Sequence, residues 1–289
     1  MTKRAAVILA AGQGTRMRPS LPKVLPPVGG RAMVDWSVAL AKAAGCERVI
    51  VVCSPAGTAV QEHVTETLGS DAIAIQDPPL GTGHAVLSAK DALQDFDGDL
   101  VVLYGDTPLI PLSAIEALFE ELKQGASVGV LGFEAKEPGA YGRLILDQVG
   151  DLEAIVEARE ATPEQLAVSF CNSGVMAAQS GTMFDLLDEV TNDNAKGEYY
   201  LTDIVELARS AGGKCRAVAC DEADVLCVTS RVPLPVAAPP FHSTISPPPF
   251  LSRLSLTALS TVFFFFLSYL QTHFSFPPTV LFSPSLFSP

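Results

Sequence analysis

The sequence predicts an α/β protein built on a doubly wound, mostly parallel sheet with an added β-rich lobe. Three observations carry this reading. Short β-branched runs alternate with helical patterns through the first half of the chain. Several runs, such as Val101-Val102-Leu103, are apolar without alternation, as strands covered by helices on both faces are. The middle of the chain then switches to closely spaced short strands separated by glycines.

In chain order, residues 5–9 read as the first strand and 33–44 as a helix, with Gly45 in the position after a helix end that favours a left-handed residue. Strands at 49–53, 72–76 and 100–104 alternate with helices at 58–68, 83–93 and 112–123. Strands at 127–134, 143–146, 152–157 and 170–177, with turns at Gly139 and Gly150, form the added lobe. Helices at 182–190 and 201–211 and a strand at 214–219 return to the α/β pattern.

Composition divides the 289 residues at about residue 231. Residues 1–231 hold all 22 glycines and all 32 acidic residues, and their 18 lysines and arginines leave a formal charge of −14. Such a balance disfavours the broad phosphate contacts of nucleic-acid binding, so no nucleic-acid partner is expected and any bound anion must meet a local positive site. Residues 232–289 have no Gly, Asp, Glu or Lys, but half of the prolines and ten of the fifteen phenylalanines. This Pro/Ser/Phe-rich tail is expected to be a disordered or aberrant appendage. Residues 254–270 fall short of the roughly 20 predominantly apolar residues of a membrane span and are interrupted by Ser and Thr, so a membrane partner is not expected. The run of phenylalanines at 263–266 is an aggregation liability.

The six cysteines contain no Cys-x-x-Cys pair and are expected to be reduced core thiols. The N-terminal apolar stretch is too short for a signal peptide, which gives a cytoplasmic expectation.

Open α/β sheets bind ligands at the carboxyl ends of their strands. After the first strand comes Leu9-Ala10-Ala11-Gly12-Gln13-Gly14-Thr15-Arg16-Met17-Arg18-Pro19-Ser20-Leu21-Pro22-Lys23. Small residues let backbone N–H groups approach phosphate oxygens, while Arg16, Arg18 and Lys23 supply positive charge. Met17 stands where the dinucleotide fingerprint needs a small residue, and the P-loop's Gly-Lys-Ser/Thr is absent. Gly12-Gln13-Gly14 alone would fit a surface turn flanked by cations equally well. The other strand ends add to it.

The strand at 100–104 ends in Gly105-Asp106, and Pro108 stands between this acid and the next helix, so Asp106 is a candidate Mg²⁺ ligand rather than a helix cap. The strand at 72–76 ends in Gln76, followed by Leu80-Gly81-Thr82-Gly83-His84 at a helix start, which suits the edge of a base or an anion. Three strand ends therefore converge on one nucleotide-shaped site.

These segments, with Tyr104-Gly105-Asp106, Tyr141-Gly142-Arg143, Ile155-Val156-Glu157, Asn172-Ser173-Gly174 and Gly197-Glu198-Tyr199-Tyr200-Leu201-Thr202-Asp203, occur in an order that resembles the bacterial bifunctional N-acetylglucosamine-1-phosphate uridyltransferases over residues 4–231. The first motif alone indicates only the wider sugar-nucleotidyltransferase superfamily; Leu-Gly-Thr-Gly-His together with Gly-Glu-Tyr-Tyr-Leu-Thr-Asp is far more specific. The resemblance implies a nucleotide-diphospho-sugar transferase fold with a sugar-binding lobe and Mg²⁺ as cofactor. It also implies transfer of UMP from UTP to N-acetylglucosamine 1-phosphate with release of pyrophosphate.

By that resemblance Ala11, Gly12, Gln76, Gly81 and Thr82 hold the uridine nucleotide, and Arg16 and Lys23 bind its phosphates. Asp106 ligates the metal. Tyr104, Gly142, Glu157, Asn172, Tyr200 and Thr202 belong to the substrate site, with the sugar phosphate held from the lobe. An exposed strand carboxylate is the plainer reading of Glu157, and a structural role is the plainer reading of His84.

Two departures stand out. A Gly-Val-Asn segment supplies a second metal ligand in these enzymes, whereas residues 227–229 here read Cys-Val-Thr, so Thr229 is a weaker candidate ligand. The Gly-containing hexapeptide repeats that carry acetyltransferase chemistry and trimer contacts are also missing, because no glycine follows Gly213, so neither property is expected. Two other readings stay open: another sugar-nucleotide or molybdopterin-type nucleotidyltransferase, and an inactive, truncated or membrane-tethered nucleotide-binding protein.

Overall fold

The computed structural model of the chain describes residues 2–12 and 22–226. Arg16, Thr229, Cys227 and the tail of residues 232–289 lie outside the described residues.

Strand β1 (Arg4–Leu9) is followed by two two-residue strands, β2 (Pro27–Val28) and β3 (Arg31–Ala32), and then by helix α1 (Met33–Ala43), β4 (Arg48–Cys53), α2 (Thr58–Leu68), β5 (Ile73–Ile75), α3 (Thr82–Leu87), β6 (Asp99–Tyr104) and α4 (Leu112–Lys123). The second half runs β7 (Val128–Glu134), β8 (Arg143–Leu146), β9 (Leu152–Val156), α5 (Pro163–Leu166), β10 (Phe170–Gln179), α6 (Ser180–Glu189), α7 (Ile204–Ser210) and β11 (Cys215–Cys220).

The main sheet has the order β11-β7-β10-β6-β1-β4-β5. β1 pairs in parallel with β4 and β6, β4 with β5, and β7 with β11, while β10 runs antiparallel to both its neighbours. The sheet is thus mostly parallel, with one reversed strand. Separate apolar clusters lie against its two faces. Ile8, Val51, Leu103 and Ile115 belong to one, and Val7, Val52, Val102 and Leu187 to the other. Adjacent residues of each central strand divide between the clusters, which is why these strands read as unbroken apolar runs.

Gly45, at φ +79°, ends α1: its N–H donates to the Lys42 carbonyl (3.1 Å) and that of Cys46 to the Ala41 carbonyl (3.0 Å). Two of the helix expectations needed correction. The helix read at 83–93 stops at Leu87, where Ala89 and Lys90 turn to 3₁₀-type bonds with Val86 and Leu87 (3.0 Å each), and a separate 3₁₀ turn follows at Asp91–Leu93. The helix read at 201–211 begins as a 3₁₀ turn, Leu201–Asp203, and turns α-helical only at Ile204.

Of the four strands expected to form the added lobe, only β8 and β9 do so, as a hairpin; β7 and β10 belong to the main sheet, and the hairpin joins it through β10, where Cys171 pairs with Arg143. An ion-pair network braces its turn. Arg209 of α7 contacts Asp147 (2.9 Å) and Asp151 (3.8 Å), and Arg216 of β11 contacts Asp151 (2.5 Å).

Cys46, Cys53, Cys171 and Cys215 are buried, Cys220 is partly buried, and all five are free. Burial pushes the Cys46 and Cys220 thiols up to about 12 and those of Cys53 and Cys215 to about 11, as inert core thiols require. Among the described residues no helix is long and apolar enough to cross a membrane.

Candidate functional site

From β1 the chain crosses to β4 and β5 on one side and then returns to β6 on the other, so the strand order reverses between β1 and β6. Crevices of this kind, at the carboxyl ends of strands, are where open α/β sheets bind ligands. Ala11 and Gly12 leave β1 here, partly buried and exposed respectively. The Ala10 N–H donates to the Val52 carbonyl (2.9 Å) and that of Gly105 to the Leu9 carbonyl (3.0 Å), so both strand ends are held.

Asp106 stands at the end of β6 and forms an ion pair with Lys23, both side chains being partly buried. Their neighbours fix the approach. A Cβ on Gly105 would lie 3.1 Å from Val24 Cγ1, and the Val24 carbonyl accepts from the Val34 N–H at the start of α1 (3.0 Å). Glycine at 105 thus lets the Lys23-Val24 segment press against the strand end that carries Asp106.

Gln76 lies at the end of β5 and is buried, 5% exposed. Its Nε2 donates to the Gly81 carbonyl (2.8 Å) and lies 3.4 Å from His84 Nδ1. The His84 ring lies 6.4 Å from that of Tyr199.

The two most distinctive motifs form one unit. Tyr199 N–H donates to the Leu80 carbonyl (2.7 Å), and its own carbonyl accepts from the Gly83 N–H (2.8 Å). The Thr82 hydroxyl accepts from the Leu201 N–H (3.1 Å). Gly81 has φ +110°, and a Cβ there would sit 2.6 Å from the Tyr199 carbonyl oxygen. Only glycine permits both the backbone conformation and the approach.

Gly142, Glu157 and Asn172 come together in the lobe. The Asn172 N–H donates to the Gly142 carbonyl (2.8 Å), and a Cβ on Gly142 would lie 3.5 Å from Glu157 Oε1 and 3.7 Å from Asn172 Cβ. Glu157 is half-buried, not an exposed strand carboxylate. Burial raises its carboxyl above the ordinary range against the opposing pull of Lys196; Glu160 adds to the rise, and a hydrogen bond with the Thr202 side chain lowers it. Tyr200, 9% exposed, completes this corner, with the Lys196 ammonium 5.5 Å from its ring centroid.

Asn172-Ser173-Gly174 forms an irregularity in β10, whose pairing with β7 shifts between Asn172 and Met176. Asn172 Oδ1 accepts from the Gly174 N–H (2.9 Å), and the Ser173 hydroxyl donates to the Leu131 carbonyl (2.6 Å). Such irregularities re-aim side chains near functional sites. Across this one β10 keeps β7 as one neighbour and exchanges β8, paired at Cys171, for β6, paired from Met176 onward, with Gly174 (φ +92°) against Tyr104.

Sequence reasoning missed several supporting residues. Ser37 is 2% exposed, and its hydroxyl donates to the Tyr104 carbonyl (2.8 Å), steadying the end of β6. A polar residue inside the apolar stripe Met33, Val34, Val38, Ala41 was the available signal. Asn194 shapes the turn before Glu198, donating to its carbonyl (2.6 Å) and accepting from its N–H (3.3 Å), with no periodic signature. His63 Nε2 lies 2.7 Å from Asp35 Oδ1 on α1. Among the described residues, no group of three or more His, Cys, Asp or Glu side chains is arranged to hold a metal ion.

The family model for the MobA-like NTP transferase domain matches residues 6–169, more than half of the chain, from within β1 to beyond the end of β9. This chain belongs to the MobA-like NTP transferase domain family. Within the NTP transferase match lie Ala11, Gly12, Lys23, Gln76, Gly81, Thr82, Tyr104, Asp106, Gly142 and Glu157; Asn172, Tyr200 and Thr202 lie beyond it.

The NTP transferase chain is 50% identical over 284 residues to bifunctional protein GlmU of Hyphomonas neptunium, covering 98% of this chain and 62% of that protein. It is 52% identical over 234 residues to GlmU of Caulobacter vibrioides, covering 81% of this chain and 51% of that protein. It therefore spans between about half and three fifths of these curated relatives. Since 284 of 289 residues are matched in the first, that similarity runs past residue 231.

Among solved structures, a UDP-glucose pyrophosphorylase complexed with UDP-glucose aligns with TM-score 0.65 at 18% identity, covering 85% of this chain and 100% of the other. A putative glucose-1-phosphate thymidylyltransferase from Bacillus anthracis aligns with TM-score 0.68 at 21% identity, covering 85% and 97%. Both show that the NTP transferase fold is shared.

Proposed function

We propose that this domain transfers UMP from UTP to N-acetylglucosamine 1-phosphate, giving UDP-N-acetylglucosamine and pyrophosphate. The observation that carries the reading is that β10 joins the two halves of the site. Asn172 is bonded to Gly142 in the lobe, and two residues on, Gly174 packs against Tyr104, the neighbour of Gly105-Asp106. A nucleotide at the β1/β6 crevice and a ligand in the lobe would therefore meet across Tyr104.

Gln76 uses its Nε2 on the Gly81 carbonyl, which leaves its Oε1 to accept from the N–H of a uracil. Ala11 and Gly12 offer backbone groups beside the phosphates, and Lys23 and Arg16 offer cations. In the lobe, Gly142 permits close backbone approach to the sugar. Glu157, Asn172, Tyr200 and Thr202 present the short-range polar partners that hydroxyls and an acetamido group need.

The chemistry is in-line attack of a sugar-phosphate oxygen on the α-phosphorus of UTP, with pyrophosphate leaving. The nucleophile is already an anion and needs no strong base, so positioning and charge neutralisation carry the rate. The donor set fits a divalent cation. Asp106 already holds a cationic group, the Lys23 ammonium, and one carboxylate plus substrate phosphate oxygens is what Mg²⁺ commonly takes. When bound, Mg²⁺ would neutralise charge on the phosphate oxygens.

Nucleotide choice is tested by measuring pyrophosphate release from the full chain with each of UTP, dTTP, CTP and GTP, against N-acetylglucosamine 1-phosphate and glucose 1-phosphate. Preference for UTP with the N-acetyl sugar supports the reading. A preference for another pair assigns the domain to a different nucleotidyltransferase.

A further inference from the structure

The Lys23–Asp106 pair places two expected roles in conflict. If Asp106 holds the metal and Lys23 the phosphates, the structure shows each engaged with the other: Lys23 Nζ is bonded to Asp106 Oδ2, with the side chains 21% and 15% exposed. The contact is built by the backbone. Val24 presses on Gly105, so two consecutive residues of one segment face two consecutive residues of the other, and the Leu25 N–H closes the Pro22–Leu25 turn onto the Pro22 carbonyl (3.1 Å).

An ammonium and a divalent cation on one carboxylate repel each other, and the desolvation of this half-buried corner sharpens that repulsion. A triphosphate offers the ammonium a denser negative partner a short distance away. We propose that Lys23 is a resident counter-ion that blocks the Asp106 metal position until a nucleoside triphosphate draws it away, so that divalent metal enters with the nucleotide rather than ahead of it. The proposal rests on Asp106 being the metal ligand. By linkage, the factor by which nucleotide favours metal equals the factor by which metal favours nucleotide.

The test is Mn²⁺ binding to the full chain without nucleotide, read by loss of the free-ion electron paramagnetic resonance signal. The wild type is compared with Lys23→Met, Lys23→Gln, Asp106→Asn and the double variant Lys23→Met/Asp106→Asn, with thermal melting to establish that each is folded. Lys90→Met, which removes an exposed pair with Asp188, controls for the general effect of losing a cation. The expected result is at least tenfold tighter Mn²⁺ binding in both Lys23 variants, none of that gain in the double variant, and no change in Lys90→Met.

Unchanged affinity in the Lys23 variants, with binding still lost on Asp106→Asn, would overturn the blocking role and leave Asp106 as the metal ligand. Equal tightening in Lys90→Met would overturn it as a bulk charge effect. Mn²⁺ binding that is the same with and without the Asp106 carboxylate, in the presence of UTP as well, would overturn the metal assignment and the proposal with it.

Discussion

Tyr104 packs so closely on Gly174 that a methyl group on the glycine would lie 2.7 Å from Tyr104 Cε2. Gly174 also has φ +92°, which side chains rarely adopt. Gly174→Ala should therefore cost more than about 2 kcal/mol of stability, from backbone strain and displacement of the ring together. Urea denaturation of the variant measures it; a loss under about 0.5 kcal/mol, the range of ordinary surface changes, would contradict the packing described.

Lys23→Ala and Arg16→Ala should each reduce turnover by about ten- to a hundredfold, since a charge-assisted hydrogen bond contributes about 1.5–3 kcal/mol. Steady-state pyrophosphate release reads this directly. Unchanged turnover in either variant removes that residue from the phosphate site.

Asn172 separates folding from binding. Its Oδ1 accepts from the Gly174 N–H, and Asn172→Asp keeps that acceptor while replacing the amide NH₂ donor with charge. The melting temperature should change little, while KM for the sugar phosphate rises at least tenfold. A large fall in melting temperature with KM unchanged would make Asn172 a structural residue only.

The carboxyl of Asp203 is pushed up from 3.8 to about 6, first by burial and then by Glu160, Glu206 and Glu157. The folded state therefore binds more protons than the unfolded chain between about pH 4 and 6, and the stability this proton contributes is lost as pH rises through that window. Asp203→Asn should raise the melting temperature at pH 7.5 relative to wild type, and the gain should shrink by pH 4. Melting curves at the two pH values decide; a difference independent of pH would contradict the assignment.

The elements visible in the sequence were those whose burial writes a pattern into it. β1, β4 and β6 are apolar runs because residues such as Val7 and Ile8 enter opposite cores, and Gly45 marks a helix end because its left-handed conformation excludes most other residues. The hairpin of Pro27–Val28 with Arg31–Ala32 is too short to carry a period and was not foreseen. Nor does β10 announce its irregularity, since Asn172 to Gly174 is polar and small in a way that strands and turns share.

At the site, residue identities were legible but their joining was not. Gln76 was read as a ligand group, whereas its Nε2 also holds Gly81 in place. Thr82 and Leu201 are 119 residues apart, and no local signal links them. Contacts of that range are set by how layers pack, which a single sequence states only indirectly.

The central claim is met most directly by incubating the full chain with UTP labelled at the α-phosphate, N-acetylglucosamine 1-phosphate and Mg²⁺, and following the label. Transfer into UDP-N-acetylglucosamine, one for each pyrophosphate released and dependent on the sugar phosphate, is the expected result. A folded chain that binds UTP yet moves no label to the sugar phosphate would contradict it.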